Sequence, residues 1–123
     1  MLGDNDVLAT IAVKNLSAAR KFYEGKLGFQ LVHTEGDQAA TYKSGKSQLL
    51  VYQSQFAGTN KATAATWMVK DVERLVKDLK AKGIAFEHYD MPGVTLKGDV
   101  HLAGNLKNAW FKDPDGNILA LVE

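Results

Sequence analysis

The chain repeats itself once, and this limits its fold more than any other feature. Val13-Lys14-Asn15-Leu16 is matched 56 positions on by Val69-Lys70-Asp71-Val72. Gly28 is matched by Gly83, and His33 by His88, each 55 positions on. Whole elements recur in the same order: an apolar strand, a side-chain cap, an amphipathic helix, a glycine stop and a second strand. A period this long with two copies is an internal duplication, not a solenoid.

The local signals agree between copies. Val7 to Val13 and Ala62 to Val69 are apolar and rich in β-formers, so each reads as a strand. Asn15 and Asp71 each offer a side-chain oxygen for a helix N-cap. Leu16, Ala19, Phe22, Tyr23 and Leu27 make one apolar stripe at helical spacing; Val72, Leu75, Val76 and Leu79 make the other. After Gly28 the pattern predicts strands over 29–35, 39–43 and 48–52. After Gly83 it predicts strands over 85–89, 106–112 and 118–122, with a long irregular stretch over 91–104. Asp113-Pro114-Asp115-Gly116-Asn117 reads as a tight turn, which accounts for its two carboxylates without a paired-carboxylate site. The expected organisation is one α+β domain: unit one over about 7–53, a polar linker over about 54–61, and unit two over about 62–123.

Composition narrows the function classes. A chain of 123 residues, 46% hydrophobic, can bury a core without staples. Lys+Arg number 15 against 14 Asp+Glu, a net charge of +1, and no basic cluster stands out. Nucleic acid is therefore not an expected partner. The chain has no cysteine, so disulfides, thiolate metal sites and cysteine nucleophiles are excluded. No glycine-rich phosphate loop and no nucleophile elbow is present. Met1 to Val13 shows no leader pattern, and the apolar runs are too short for a membrane span. The expectation is a cytoplasmic protein with no membrane partner.

Two stretches carry a family resemblance. The first is Val13-Lys14-Asn15-Leu16 with Ala19, Phe22-Tyr23 and Leu27-Gly28-Phe29. The second is Ala109-Trp110-Phe111-Lys112-Asp113-Pro114-Asp115-Gly116-Asn117-Ile118-Leu119-Ala120-Leu121. Together they resemble the glyoxalase/bleomycin-resistance/dioxygenase (vicinal oxygen chelate) superfamily over nearly the whole chain. The resemblance implies two βαβββ units forming a curved, half-open mixed sheet around a cavity, with helices outside. It also implies a homodimer in many members. In the enzymes of the family a divalent metal sits on the cavity face, held by His, Glu or Gln. Carried onto this chain, the implied ligand positions are Leu8, Ala64, Ala120, and one of Gln48 or Leu50. Three of the four have no lone pair to give, whereas a catalytic ion needs about three protein donors. No metal and no cofactor is therefore expected.

Strand alternation gives an expected cavity wall. Leu8, Thr10 and Ala12 share one face, as do Gln48, Leu50 and Tyr52. In unit two Ala62, Ala64, Thr66 and Met68 share a face, with Trp67 expected under a helix, and so do Ile118, Ala120 and Val122. Trp110 and Phe111 compete for the inward position between them. His33 and His88 are expected on outer strands, and His101 in the long loop of unit two. The expected function is binding of a small apolar or aromatic molecule, as in bleomycin-resistance-type members. Two alternatives stand beside it. One is a lyase, isomerase or dioxygenase, with relocated metal ligands or with metal-free acid/base chemistry on His101 and Tyr52. The other is an interaction module whose sheet edges serve mainly to form a dimer.

Overall fold

The structure is a computed structural model describing residues 1–123. The chain divides into two units, Met1–Gly58 and Thr59–Glu123. No helix is long and apolar enough to cross a membrane.

Unit one runs through a 3₁₀ turn (Leu2–Asp4), β1 (Ala9–Val13), α1 (Leu16–Arg20), a π-helical segment (Lys21–Lys26), β2 (Gln30–Glu35), β3 (Ala39–Ser44) and β4 (Ser47–Gln53). The sheet order is β1-β4-β3-β2. Strands β1 and β4 are parallel; the other pairs are antiparallel. The helix starts where a cap is available: Asn15 Oδ1 accepts the Ala18 N–H at 2.9 Å. It ends at Gly28, whose φ of 75° no β-carbon would favour. The π turn is closed by the Leu27 N–H donating to the Phe22 carbonyl at 3.0 Å.

Helix and sheet meet over a buried layer. Ile11 and Val13 of β1, Ala40 and Tyr42 of β3, and Leu49 and Val51 of β4 face Leu16, Ala19, Phe22 and Tyr23. Each fully buried aliphatic or aromatic side chain here contributes about 1.5–3 kcal/mol of transfer free energy. Three aromatic rings add shape: Tyr23 stacks on Phe29 at 6.2 Å and on Tyr42 at 6.3 Å. The Tyr42 hydroxyl, buried beneath the helix, donates to Glu24 Oε2 at 2.8 Å. The same carboxylate oxygen accepts from Arg20 Nε at 2.6 Å. The Arg20 hydrogen bond holds the Glu24 carboxyl below its ordinary value, with Tyr42 helping and partial burial opposing. Burial, then the Glu24 hydrogen bond and charge, push the Tyr42 hydroxyl well above its ordinary value of 10.0.

Unit two runs through β5 (Thr63–Met68), α2 (Val72–Ala81), β6 (Phe86–Glu87), β7 (Thr95–Lys97), β8 (Val100–Ala103), β9 (Leu106–Lys112) and β10 (Ile118–Val122). The order is β5-β10-β9-β8-β7, with β6 also paired to β9. Strands β5 and β10 are parallel, and the rest are antiparallel. Asp71 Oδ1 accepts the Arg74 N–H at 3.2 Å, and Gly83 (φ 90°) stops the helix. Val72, Val76 and Leu79 of α2 are buried, as are Val100, Ala109, Phe111, Leu119 and Leu121 of the sheet. Phe111 packs edge-on against Phe86 at 5.5 Å. The turn before β10 is held by Asp113, whose Oδ1 accepts the N–H groups of Asp115 and Asn117 at 3.0 and 2.9 Å.

Two expectations for unit two are corrected. The strand over 85–89 shrinks to Phe86–Glu87, because β9 has one free edge and two strands share it. β6 takes Trp110 and Phe111; β8 takes Leu106 to Asn108. His88 therefore lies outside any strand, unlike His33 on β2. The stretch 91–104 is not irregular throughout: it holds the β7–β8 hairpin, turned at Gly98 (φ 62°), and His101 stands on β8.

Two predictions follow from the packing. Asn15→Ala and Asp71→Ala should each cost about 1 kcal/mol in urea unfolding, since each leaves a helix N-terminal N–H without its acceptor. Tyr42→Phe should cost about 1.5–3 kcal/mol, the usual size for a hydrogen bond to a charged group. Its pH signature is distinctive. The Tyr42 hydroxyl is raised on folding, so its contribution is full below pH 10 and is lost as pH rises through the raised value. The Glu24 carboxyl is lowered, so its contribution is full above about pH 4.5 and is lost as pH falls through the lowered value. Stability curves of Tyr42→Phe should flatten above pH 10 relative to the parent chain.

Candidate functional site

In unit one, alternation leaves one sheet face to α1 and turns the other away from it. Register fixes the neighbours on that second face. Thr10 lies opposite Leu50, and Leu50 opposite Thr41; Ala12 lies opposite Tyr52, and Tyr52 opposite Ala39. Thr10 and Tyr52 are exposed and Leu50 is half-buried. At the strand ends Leu8 and Gln48 line a cleft of about 590 Å³ with Asp6, Val7, Lys46 and Ser47. Thr10 Oγ1 donates to the Leu8 carbonyl at 3.1 Å, which fixes its rotamer. His33, opposite Thr41, is tied to Glu35 at 2.7 Å.

In unit two two rows cross the face that α2 leaves free. One row is Thr66, Ala120, Trp110 and Glu87; the other is Met68, Val122, Asn108 and His101. The competition between Trp110 and Phe111 is thereby settled: Phe111 packs in the core with Phe86, and Trp110 lies on the free face. Met68 is 81% exposed, whereas Ala120, in the neighbouring row, is only 3% exposed. Alternation also breaks once. The register between β5 and β10 shifts between Ile118 and Leu119, so Ile118 pairs with Thr63 and Leu119 with Ala65. Ala64 is left as the extra residue of a bulge. The irregularity brings Thr63 within reach of Trp110, whose indole N–H donates to Thr63 Oγ1 at 3.2 Å.

His101 is the most enclosed polar side chain of this face, at 1% exposure. Its Nε2 accepts the backbone N–H of Tyr89 at 2.9 Å. That bond follows from the shared edge of β9: the chain leaving β6 has no strand partner at Tyr89, and the imidazole supplies one. The His101 ring meets Trp110 edge-on at 4.8 Å and Tyr89 at 6.2 Å; Tyr89 meets Trp110 at 5.4 Å. Burial, and then the charge of Glu87, raise the Tyr89 hydroxyl above its ordinary value, with Lys112 opposing. Tyr89, Asn108 and Thr63 are the residues that sequence reasoning missed. Asn108 was within reach of it, two places before Trp110 on one strand. Tyr89 closes the strand expected over 85–89 but lies beyond β6, and Thr63 depends on the bulge, so alternation alone singles out neither.

The residues present do not fit a divalent ion at the positions the resemblance implies. Leu8, Ala64 and Ala120 bring no donor, and Gln48 or Leu50 brings one at most. The histidines are engaged elsewhere: His33 with Glu35, His88 with Asp99 at 2.7 Å, and His101 with Tyr89. Carboxylates of Asp71, Glu73 and Glu123 do gather within 4.8 Å, but all three are exposed. They serve the start of α2 and its ion pair. Asp71 accepts from the Arg74 N–H, Glu123 from the Val72 N–H, and Glu73 pairs with Lys107.

Comparison with known proteins agrees with the fold. The sequence pattern of the Glyoxalase/Bleomycin resistance protein/Dioxygenase superfamily matches residues 7–121. A glyoxalase family protein from Enterococcus faecalis superposes with a TM-score of 0.75 at 23% identity, covering 100% of both chains. A bleomycin resistance determinant encoded on the transposon Tn5 gives 0.74 at 19% identity, covering 97% of each chain. A lactoylglutathione lyase from Agrobacterium tumefaciens gives 0.72 at 20% identity, covering 97% of this chain and 92% of that one. At such identities the likeness concerns the fold. No curated protein matches the sequence. With the profile spanning both units and both strand-to-helix repeats, the chain belongs to the glyoxalase/bleomycin resistance protein/dioxygenase superfamily.

Proposed function

We propose that this chain is a metal-free small-molecule-binding protein of the bleomycin-resistance type, whose ligand is flat and largely apolar. One observation carries the reading. The positions where the family's enzymes hold their ion are here Leu8 in unit one and Ala64 and Ala120 in unit two, so these positions lack the donors of a catalytic centre. In unit two the side chains proposed to contact the ligand are Thr66, Met68, His101 and Trp110; Thr10, Gln48, Leu50 and Tyr52 are the candidates on the free face of unit one, each unit being taken by itself. Such a mixture suits a pocket that is mostly apolar with a few polar groups fixing orientation. Trp110 is the proposed anchor, because an indole offers the largest apolar surface and its N–H is already satisfied by Thr63. The protein is proposed to act in the cytoplasm as a homodimer.

Metal content tests the first part. Elemental analysis should find no stoichiometric ion, and titration with Ni²⁺, Zn²⁺, Mn²⁺ or Fe²⁺ should leave the melting temperature unchanged. An ion near one per chain that raises it would overturn the metal-free reading. Ligand binding tests the second part. A hit from an aromatic panel at one hundred times its Kd should stabilise the fold by about 2.7 kcal/mol. Trp110→Leu should weaken that hit about tenfold or more, and unchanged affinity would remove Trp110 from the site. Sedimentation at micromolar concentration should show a dimer; a clean monomer would remove that part of the proposal.

A further inference from the structure

Buried polar atoms nearly always find a partner, so those that do not point to something missing from the account. Three buried side-chain atoms have no protein partner, and they belong to one neighbourhood: Tyr89 Oη, His101 Nδ1 and Asn108 Oδ1. His101 and Asn108 face each other across β8 and β9, a pairing that sets their β-carbons about 5 Å apart. Tyr89 and His101 both lean on the indole of Trp110.

The hydrogen-bonding character of each atom follows from its surroundings. The Tyr89 backbone N–H can only donate, so His101 Nε2 must accept, and the ring proton sits on Nδ1. Nδ1–H is then a donor. Asn108 Oδ1 is an acceptor. The Tyr89 hydroxyl does both, and its burial keeps it protonated. The donor and the acceptor complement each other, yet they make no bond. A molecule with a carbonyl next to an N–H would satisfy both at once. A carboxylate would not, since it has nothing to donate to Asn108. An ammonium would not, since it has nothing to accept from His101. The nearby charges are already matched, with Glu87 paired to Lys112 at 3.4 Å, so the face favours a neutral guest.

We infer that Tyr89, His101 and Asn108 form the polar recognition point of the free face of unit two, taking the neutral lactam or cis-amide edge of a flat aromatic molecule. His101 Nδ1–H donates to its carbonyl, Asn108 Oδ1 accepts its N–H, and its ring lies against Trp110. The inference rests on the small-molecule-binding reading and adds the chemical class of the ligand. The three atoms are closed to solvent, so entry requires Tyr89 to swing aside. The segment His88–Val94 that carries it lies outside any strand or helix, which is where such a movement costs least.

The probe is 1-isoquinolone, a planar bicyclic lactam, against its N-methyl derivative, which keeps the ring and carbonyl but loses the N–H. Binding is read from Trp110 fluorescence in the Trp67→Phe background. The lactam should bind at least tenfold more tightly than the N-methyl compound. Asn108→Leu should erase that difference, and His101→Phe should weaken both compounds. Should His101→Phe fail to fold, the Asn108→Leu comparison and ¹⁵N spectra of the imidazole still decide the matter, the spectra being expected to place the proton on Nδ1. Equal affinity for the two compounds, or a proton on Nε2, would overturn the lactam assignment and leave the general binding reading standing. Binding of neither would also overturn it. If the aromatic panel then fails as well, the fault lies in the binding reading itself.

Discussion

Each unit owns a single regular helical stretch, and one such stretch can cover only one face of a sheet. Almost everything of interest follows from that. Alternation along β1 sends Ile11 and Val13 under α1 and leaves Thr10 and Ala12 on the other side. Alternation along β9 sends Ala109 and Phe111 inward and leaves Asn108 and Trp110 outside that core. The covered face is an apolar layer, with the Tyr42 hydroxyl as its polar point in unit one. The free face carries the threonines, the amide, the imidazole and the indole. A protein built this way separates its two tasks by a period of two along each strand, and a one-residue slip would exchange them.

The free face of unit two is the more specialised one, and its features have a common cause. Strand β9 is flanked on one side by β10 and must divide its other edge between β6 and β8. The division cuts β6 short, orphans the Tyr89 N–H and draws His101 into the role of a backbone acceptor. The imidazole is thus fixed in tautomer and in direction by a structural need, and the atoms left over are the ones a ligand could use. A preorganised donor of this kind costs little to engage, because its orientation has been set by folding.

How much of this could be read beforehand depended on whether the signal was periodic. The caps at Asn15 and Asp71, the glycine stops at Gly28 and Gly83 and the core stripes were legible, since each is local and each occurs twice. The β7–β8 hairpin was missed, although Lys97-Gly98-Asp99 between two short alternating runs is a turn signal. Proximity to Pro92 and Gly93 made the whole stretch look irregular. Only the observed register separates Trp110 from Phe111, whereas the place of Leu50 and Thr66 on the helix-free face followed from alternation. Thr63 did not, because a bulge adds a residue that no count of two anticipates. Tyr89 did not, because its place is set by an edge shared between strands far apart in sequence.

The two copies differ in one small way that explains a puzzle in the numbering. Their N-caps stand 56 positions apart, while their glycine stops stand 55 apart. The first helical stretch must therefore hold one residue more than the second, and it does: five residues of α1 and six of the π segment, against ten in α2. A wider turn takes up an extra residue without lengthening the rod, so the strands at its two ends need not move. The π segment is where a single-residue change in length between the halves has been absorbed. It also carries Glu24, the carboxylate that the buried Tyr42 hydroxyl depends on.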